Sequence, residues 1–267
     1  MDKALKRTNS QVAKQPGIYV VSIKDSPWVE AGKPGIYQKI VREDELKGLF
    51  LGYIAFDPMV TSGLHQHQAT AISYFIDGGL TDYQGSARPG EAGINLKGAT
   101  HDAIAYSRSV LVSRMEGPAI YPPSDEPLHR LHAGARYSAI TNDNPEALPD
   151  LNIDVDSVLG QPTACGHISR RMVFDYAPIG GKQRFSQLQC LPGAQSTTFV
   201  ASDSIEFWIR GGALMVNDLL ASAGDFVIIE PGTSVRLKTE FGALCLAWAD
   251  GPAPWEHGKE MPDLFGF

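Results

Sequence analysis

The chain has 267 residues, 43% hydrophobic and 20% charged, with a formal net charge of -7. That length accommodates one large domain or two of roughly 100–150 residues, and the acidic balance argues against a nucleic-acid partner. No stretch approaches the roughly 20 apolar residues that a membrane-spanning helix needs. The charged start, Met1 to Arg7, leads into no apolar run of the signal-peptide kind. Three widely spaced cysteines, Cys165, Cys190 and Cys245, are an odd set without a CxxC pair. That usage fits a reducing compartment, so the expectation is a cytoplasmic protein with neither nucleic-acid nor membrane partners. Cys190 and Cys245 lie in apolar runs and read as buried packing thiols.

Taken in chain order, residues 1–15 read as a loose arm. Leu49–Phe56 is an apolar run long enough for a buried strand, after at most a turn or two of helix near Asp44. His65-Gln66-His67 follows, and residues 71–76 form a second strand, closed by the hairpin-type turn Asp77-Gly78-Gly79. Arg88-Pro89-Gly90-Glu91 then leads through Leu96 and Gly98 to His101. Residues 121–168 are polar and proline-punctuated and read as a connection, with residues 137–140 as a candidate edge strand. In the second half, residues 205–212 and 225–232 repeat the strand-then-turn pattern. Short strands parted by Gly and Pro turns indicate an all-β jelly-roll architecture.

The chain also repeats itself. Val112 to Pro118 recurs as Leu246 to Pro252, and Pro89-Gly90 recurs as Ala223-Gly224 at an identical separation along the chain. Gly78-Gly79 recurs as Gly211-Gly212 one position closer, which implies a slip in that turn. The period is too long for a solenoid, so the chain holds two copies of one domain. The expected boundaries are 1–120 for the first barrel, 121–168 for the connection and 169–267 for the second barrel.

Two residues at i and i+2 on a strand face the same way, so His65 and His67 can grip one ion from one side. His101, arriving on a later strand, can close the set. Three neutral imidazoles with open positions suit iron, zinc, copper or nickel and leave room for water or substrate. The second copy lacks the set: with the slip it carries Thr198, Val200 and Val235 at the corresponding places. His129, His132, His167 and His257 read as solvated, and Glu206, matched to Ser73, as a buried acid paired with Arg210.

Together, His65-x-His67 with Gly78, and Pro89-Gly90 with Gly98 and His101, resemble the two motifs of the RmlC-like cupin superfamily. The whole chain resembles a bicupin. Met59 stands where the first motif has its leading glycine, Leu96 replaces the inner proline of the second, and the final asparagine is missing. The motif's glutamate falls at Ala71, which cuts the usual three-histidine, one-glutamate sphere to three histidines. That pattern is similar to the acetylacetone and 2,4'-dihydroxyacetophenone dioxygenases, and the local texture resembles the ChrR-like cupin group. The resemblance implies one divalent transition metal, Fe(II) ahead of zinc or nickel. It also implies a dioxygenase that cleaves a C–C bond in a small diketone or hydroxyketone, and a homodimer. Its alternatives are a zinc- or ligand-binding sensor cupin, and an O2-independent isomerase or lyase. Ala71, Ser73 and Phe75 share the parity of the missing glutamate and are expected to line the cavity, with Arg114 as a further candidate.

Overall fold

The computed structural model describes residues 11–82, 85–121, 150–256 and 262–267. They form two compact units, one of residues 26–156 and one of residues 11–25 with 157–267. In the first unit a seven-stranded antiparallel sheet runs in the order Asp150–Asp154, Glu91–Asn95, Ala71–Asp77, Ser109–Glu116, Leu49–Phe56, Ile36–Asp44, Val29–Glu30. Two smaller sheets accompany it. One joins Gly85–Ala87, Leu80–Asp82, Ile104–Ala105 and Val60–Thr61; the other joins Thr100–His101, His65–His67 and Ala119–Ile120. The second unit is built alike, around a large sheet that includes Phe226–Ile229, Ile205–Val216, Ala243–Ala249, Arg184–Cys190 and Ile168–Asp175. Both are all-β jelly rolls, as the strand pattern predicts. No helix among the described residues is long and apolar enough to cross a membrane.

The repeat is written in the backbone hydrogen bonds. Ser62 N to Ala103 O recurs as Ser196 N to Leu237 O, and His67 N to Ala99 O as Ala201 N to Thr233 O. Gly90 N to Phe75 O recurs as Gly224 N to Ile209 O, and Gln68 N to Pro118 O as Ser202 N to Pro252 O. Every one of these pairs keeps the separation of Pro89 from Ala223, so the slip inferred from Gly211-Gly212 does not exist. Gly78 matches Gly212: both adopt left-handed φ, 67° and 72°, and a Cβ on either would strike a neighbouring carbonyl oxygen, that of Arg108 or Gly242. With that register, Phe199, Ala201 and Val235 replace the three histidines, rather than Thr198, Val200 and Val235. Glu206 matches Ile72, and Phe207 matches Ser73.

The arm assignment also needs correction. Gln11–Gln15 pairs with Ile18–Ser22, which in turn lies against Phe226–Ile229 in the second unit. Ile18, Val20 and Val21 are buried there, because a β-branched run on an open sheet edge gains both ladder hydrogen bonds and apolar cover. In the first unit the same edge, Glu91–Asn95, is covered by Asp150–Asp154, a strand from within the expected connection. Each barrel thus takes its edge strand from the segment that precedes the other barrel in the chain. Residues 137–140 lie outside the described residues. Near Asp44 the chain makes a strand, Ile36–Asp44, and then a turn, not a helix.

Met59 explains the missing glycine of the first motif. It sits at φ 64° with 65% of its surface exposed, and its counterpart in the second barrel is Gly193 at φ 75°. A side chain in this region costs on the order of 1–2 kcal/mol, partly offset by glycine's greater entropy loss on folding. Met59→Gly is therefore expected to raise the stability of the first barrel by up to ~1 kcal/mol. Met59→Val, β-branched in the same conformation, should lower it. Chemical denaturation of the two variants against the parent chain checks the sign.

Candidate metal centre

His65–His67 is the middle strand of the three-stranded sheet, with His65 opposite His101 and His67 opposite Ala119. The i, i+2 spacing puts His65 and His67 on one face, and the register brings His101 onto it. The Nε2 atoms of His65 and His67 lie 3.2 Å apart, as do those of His67 and His101. One ring nitrogen from each histidine falls within a 4.8 Å set, and all three residues are buried. Nitrogens that bind one ion at about 2.1 Å stand about 3.0–3.4 Å apart in facial octahedral or tetrahedral geometry. The triad therefore fits a single transition metal.

Two of the rings are turned by acceptors behind them. His65 Nδ1 lies 2.6 Å from Gly63 O. A carbonyl only accepts, so Nδ1 carries the proton and Nε2 offers a lone pair. The Gly63 loop is itself pinned: Gly63 N donates to Asp102 Oδ1 at 3.0 Å, and Ala103 N donates to Ser62 Oγ at 3.0 Å. His101 Nδ1 donates in the same way to Asp82 Oδ2 at 3.0 Å. Asp82 and Asp102 were missed in the sequence. Asp102 adjoins His101 and could have been found, whereas Asp82 stands far back in the chain, before the Pro89-Gly90 turn, and carries no local signal. Burial, and then the neighbouring His101, lowers the His65 pKa to about 4. Burial, and then His65 and His101, holds His67 well below its ordinary value. Both rings are thus neutral at physiological pH, the form that binds metal.

The histidines open onto a cavity of about 170 Å³. Ala71 and Ser73 line it as expected, with Lys33, Gln38, Ser62, Asn95 and Tyr121 as further polar groups and Ile36, Ile54, Phe56, Leu111 and Met115 among the apolar ones. No carboxylate is among its lining residues within the described part of the chain. Phe75 lines a smaller adjoining cavity of about 60 Å³, together with Asp82, Asn95 and Asn152. Arg114 lines neither. Leu111 and Met115 on the same strand face the cavity, so parity turns Arg114 away, where its Nη1 donates to Glu116 Oε1 at 3.1 Å. In the second barrel Phe199, Ala201, Val235 and Phe207 are fully buried in one apolar cluster. Glu206 is buried too, and Arg210 Nη1 donates to Gln187 Oε1 at 2.7 Å. His167 is exposed, while His129, His132 and His257 lie outside the described residues. All three cysteines are free and buried, and burial pushes the Cys190 thiol up to about 12.

Two outcomes are expected. His67→Ala should abolish binding of one metal ion per chain, and Asp82→Ala should weaken it by about 10–100-fold through loss of the ring orientation; elemental analysis after dialysis against graded chelator reads both. In the metal-free protein, the unfolded chain takes up a proton at His65 below about pH 6.5 that the folded chain refuses until about pH 4. Thermal stability should therefore fall as pH drops through that window, and fall less in His65→Gln.

Residues 17–119 match the family model described as the ChrR cupin-like domain. No curated protein matches the chain. Among solved structures, a proposed dioxygenase of Nostoc punctiforme superposes with TM-score 0.61 at 12% identity, covering 81% of this chain and 73% of its own. The salicylate 1,2-dioxygenase of Pseudaminobacter salicylatoxidans gives 0.57 at 14% identity, over 76% and 70% of the two chains. The Escherichia coli pirin YhhW in complex with nickel(II) gives 0.57 at 15%, over 88% and 99%. At these identities the structures speak for the fold alone. The family match thus covers residues 17–119, and the superpositions extend the likeness in fold across both jelly rolls.

Proposed function

We propose that the first barrel is a dioxygenase that cleaves a C–C bond in a small 1,3-diketone or hydroxyketone, with Fe(II) held by His65, His67 and His101. The observation that carries this reading is the convergence of three Nε2 atoms on a cavity that no carboxylate among the described residues lines. The iron would supply a Lewis-acidic, redox-active centre that holds the substrate's two oxygens and relays electrons to O2. With a 1,3-diketone, both atoms of O2 end in the products, a carboxylic acid and a 1,2-dicarbonyl compound, and no external reductant is consumed.

The chain's own residues bind and shield. The three imidazoles fix one side of the ion, and the Ala71 methyl leaves the glutamate position without a ligand. Gln38, Ser73 and Asn95 offer hydrogen bonds within the cavity, and its apolar wall limits access of water. The Tyr121 ring lies 5.5 Å from the His65 ring, and burial, then Asp102, raises its pKa, so it stays a phenol that donates. With no carboxylate base among its described lining residues, the cavity suits substrates acidic enough to enolise on binding, and for the same reason an O2-independent isomerase or lyase is the weaker reading. The match to the ChrR-like domain favours one alternative, a zinc- or ligand-binding sensor.

Anaerobic reconstitution with Fe(II), followed by a panel of diketones and aryl hydroxyketones at an oxygen electrode, separates the two. Oxygen uptake is expected only with iron and substrate together, and is expected to disappear in His101→Ala. Tight ligand binding to the zinc form with no uptake across the panel would establish the sensor instead.

A further inference from the structure

We propose that the cavity of the first barrel takes a substrate bearing a carboxylate, and that Lys33 is the residue that selects for it. The substrate is then a small dioxo or hydroxyketo acid rather than a neutral ketone. This deepens the reading above and rests on a metal at the three histidines.

Among the described residues, Lys33 is the single Lys or Arg that lines the cavity, and no acid lines it. Its ammonium donates to Thr61 Oγ1 at 3.3 Å, and no carboxylate among the described residues pairs with it. The residue is half-buried, and an uncompensated cation at the wall of an apolar cavity is unfavourable unless an anion joins it. Gly63 fixes where it sits. A Cβ on Gly63 would lie 2.9 Å from Lys33 Nζ and 3.5 Å from Tyr121 Cε1, so ammonium and phenol ring flank one point on the loop. The carbonyl of that same glycine orients His65. Lys33 therefore stands beside the histidine site, next to Tyr121 in the cavity lining.

The charges agree. Three neutral imidazoles leave a bound divalent ion with its full charge, and Lys33 adds another. Of the described acids beside the triad, Asp82 accepts from His101 Nδ1 and Asp102 accepts from Gly63 N, and neither lines this cavity. An anion that chelates with one end and meets Lys33 with the other compensates both. Size sets the remaining limit: about 170 Å³ is little more than the ~150 Å³ cavity that admits benzene.

The test uses the zinc-loaded protein, which binds without turnover, titrated calorimetrically with 2,4-dioxopentanoate and with its amide. The acid is expected to bind at least about 10-fold more tightly, the range of a charge-assisted hydrogen bond. Lys33→Met should bring the two ligands to within about 2-fold, and Lys33→Arg should keep most of the preference. Zinc bound at one ion per chain with the acid no tighter than the amide overturns the proposal and leaves the metal centre standing. So does zinc binding with neither ligand bound, or a preference that survives in Lys33→Met. Failure of the chain to bind zinc overturns the metal centre and this proposal together.

Discussion

An imidazole has two nitrogens, and the one that faces away from a cavity decides what the other can do inside it. In the first barrel that decision belongs to Gly63 O and to Asp82, which take the Nδ1 protons of His65 and His101. With those protons directed outward, the Nε2 atoms of His65 and His101 present lone pairs on either side of His67 Nε2, each 3.2 Å from it, the spacing that a single ion would take over. Gln66 holds the strands in register from the opposite face. Wholly buried between the two histidines, it donates to Gly98 O and to Thr100 Oγ1, and so ties the His65 strand to the His101 strand. A donor set fixed this way does not reorganise on binding, which is what preorganisation requires.

The second barrel shows what the same backbone does when that constraint is lifted. Its hydrogen bonds repeat those of the first at constant separation, yet Phe199, Ala201 and Val235 occupy the ligand positions and Phe207 takes the place of Ser73. Each fully buried Phe contributes on the order of 2–3 kcal/mol, whereas the first barrel retains buried histidines and an open cavity in the corresponding volume. The two interiors are alternative uses of one scaffold. One is packed shut by apolar side chains, and the other is held open by polar groups with specific partners.

The architecture was legible because it rests on signals repeated many times: alternating apolar runs, Gly and Pro turns, and one constant separation shared by distant anchors. The His65–His67 pair was legible because the i, i+2 rule needs only local sequence, and His101 because it follows Pro89-Gly90 and Gly98 at the spacing of the second motif. What failed was finer than one residue or longer than one strand. Gly211-Gly212 looked like Gly78-Gly79, but only Gly212 has the left-handed backbone and close carbonyl contact that define the match. The boundary 1–120 puts Ile18–Ser22 in the first barrel, since nothing in a β-branched run says which sheet edge it will join. Arg114 needed the parity of its strand. Asp82 and Lys33 needed the fold itself, because whole strands separate Asp82 from His101 and Lys33 from His65. Polar residues so far from their partners look like ordinary surface until the barrel closes.

The loss of glutamate at Ala71 and the presence of Lys33 are two sides of one electrostatic account. A carboxylate ligand would leave a divalent ion with one net positive charge, matched by a single enolate. Without it the ion keeps both charges, and Lys33 places a third in the lining of the same cavity. In surroundings of low polarity such charges interact several-fold more strongly than in water, so the ligand that neutralises most of them is preferred. An enolate that also carries a carboxylate brings two negative charges at a fixed spacing, one for the ion and one for the lysine. On the proposed reading, Ala71 and Lys33 would therefore act on the substrate twice, by lowering the energy of its enolate and by selecting which enolate enters.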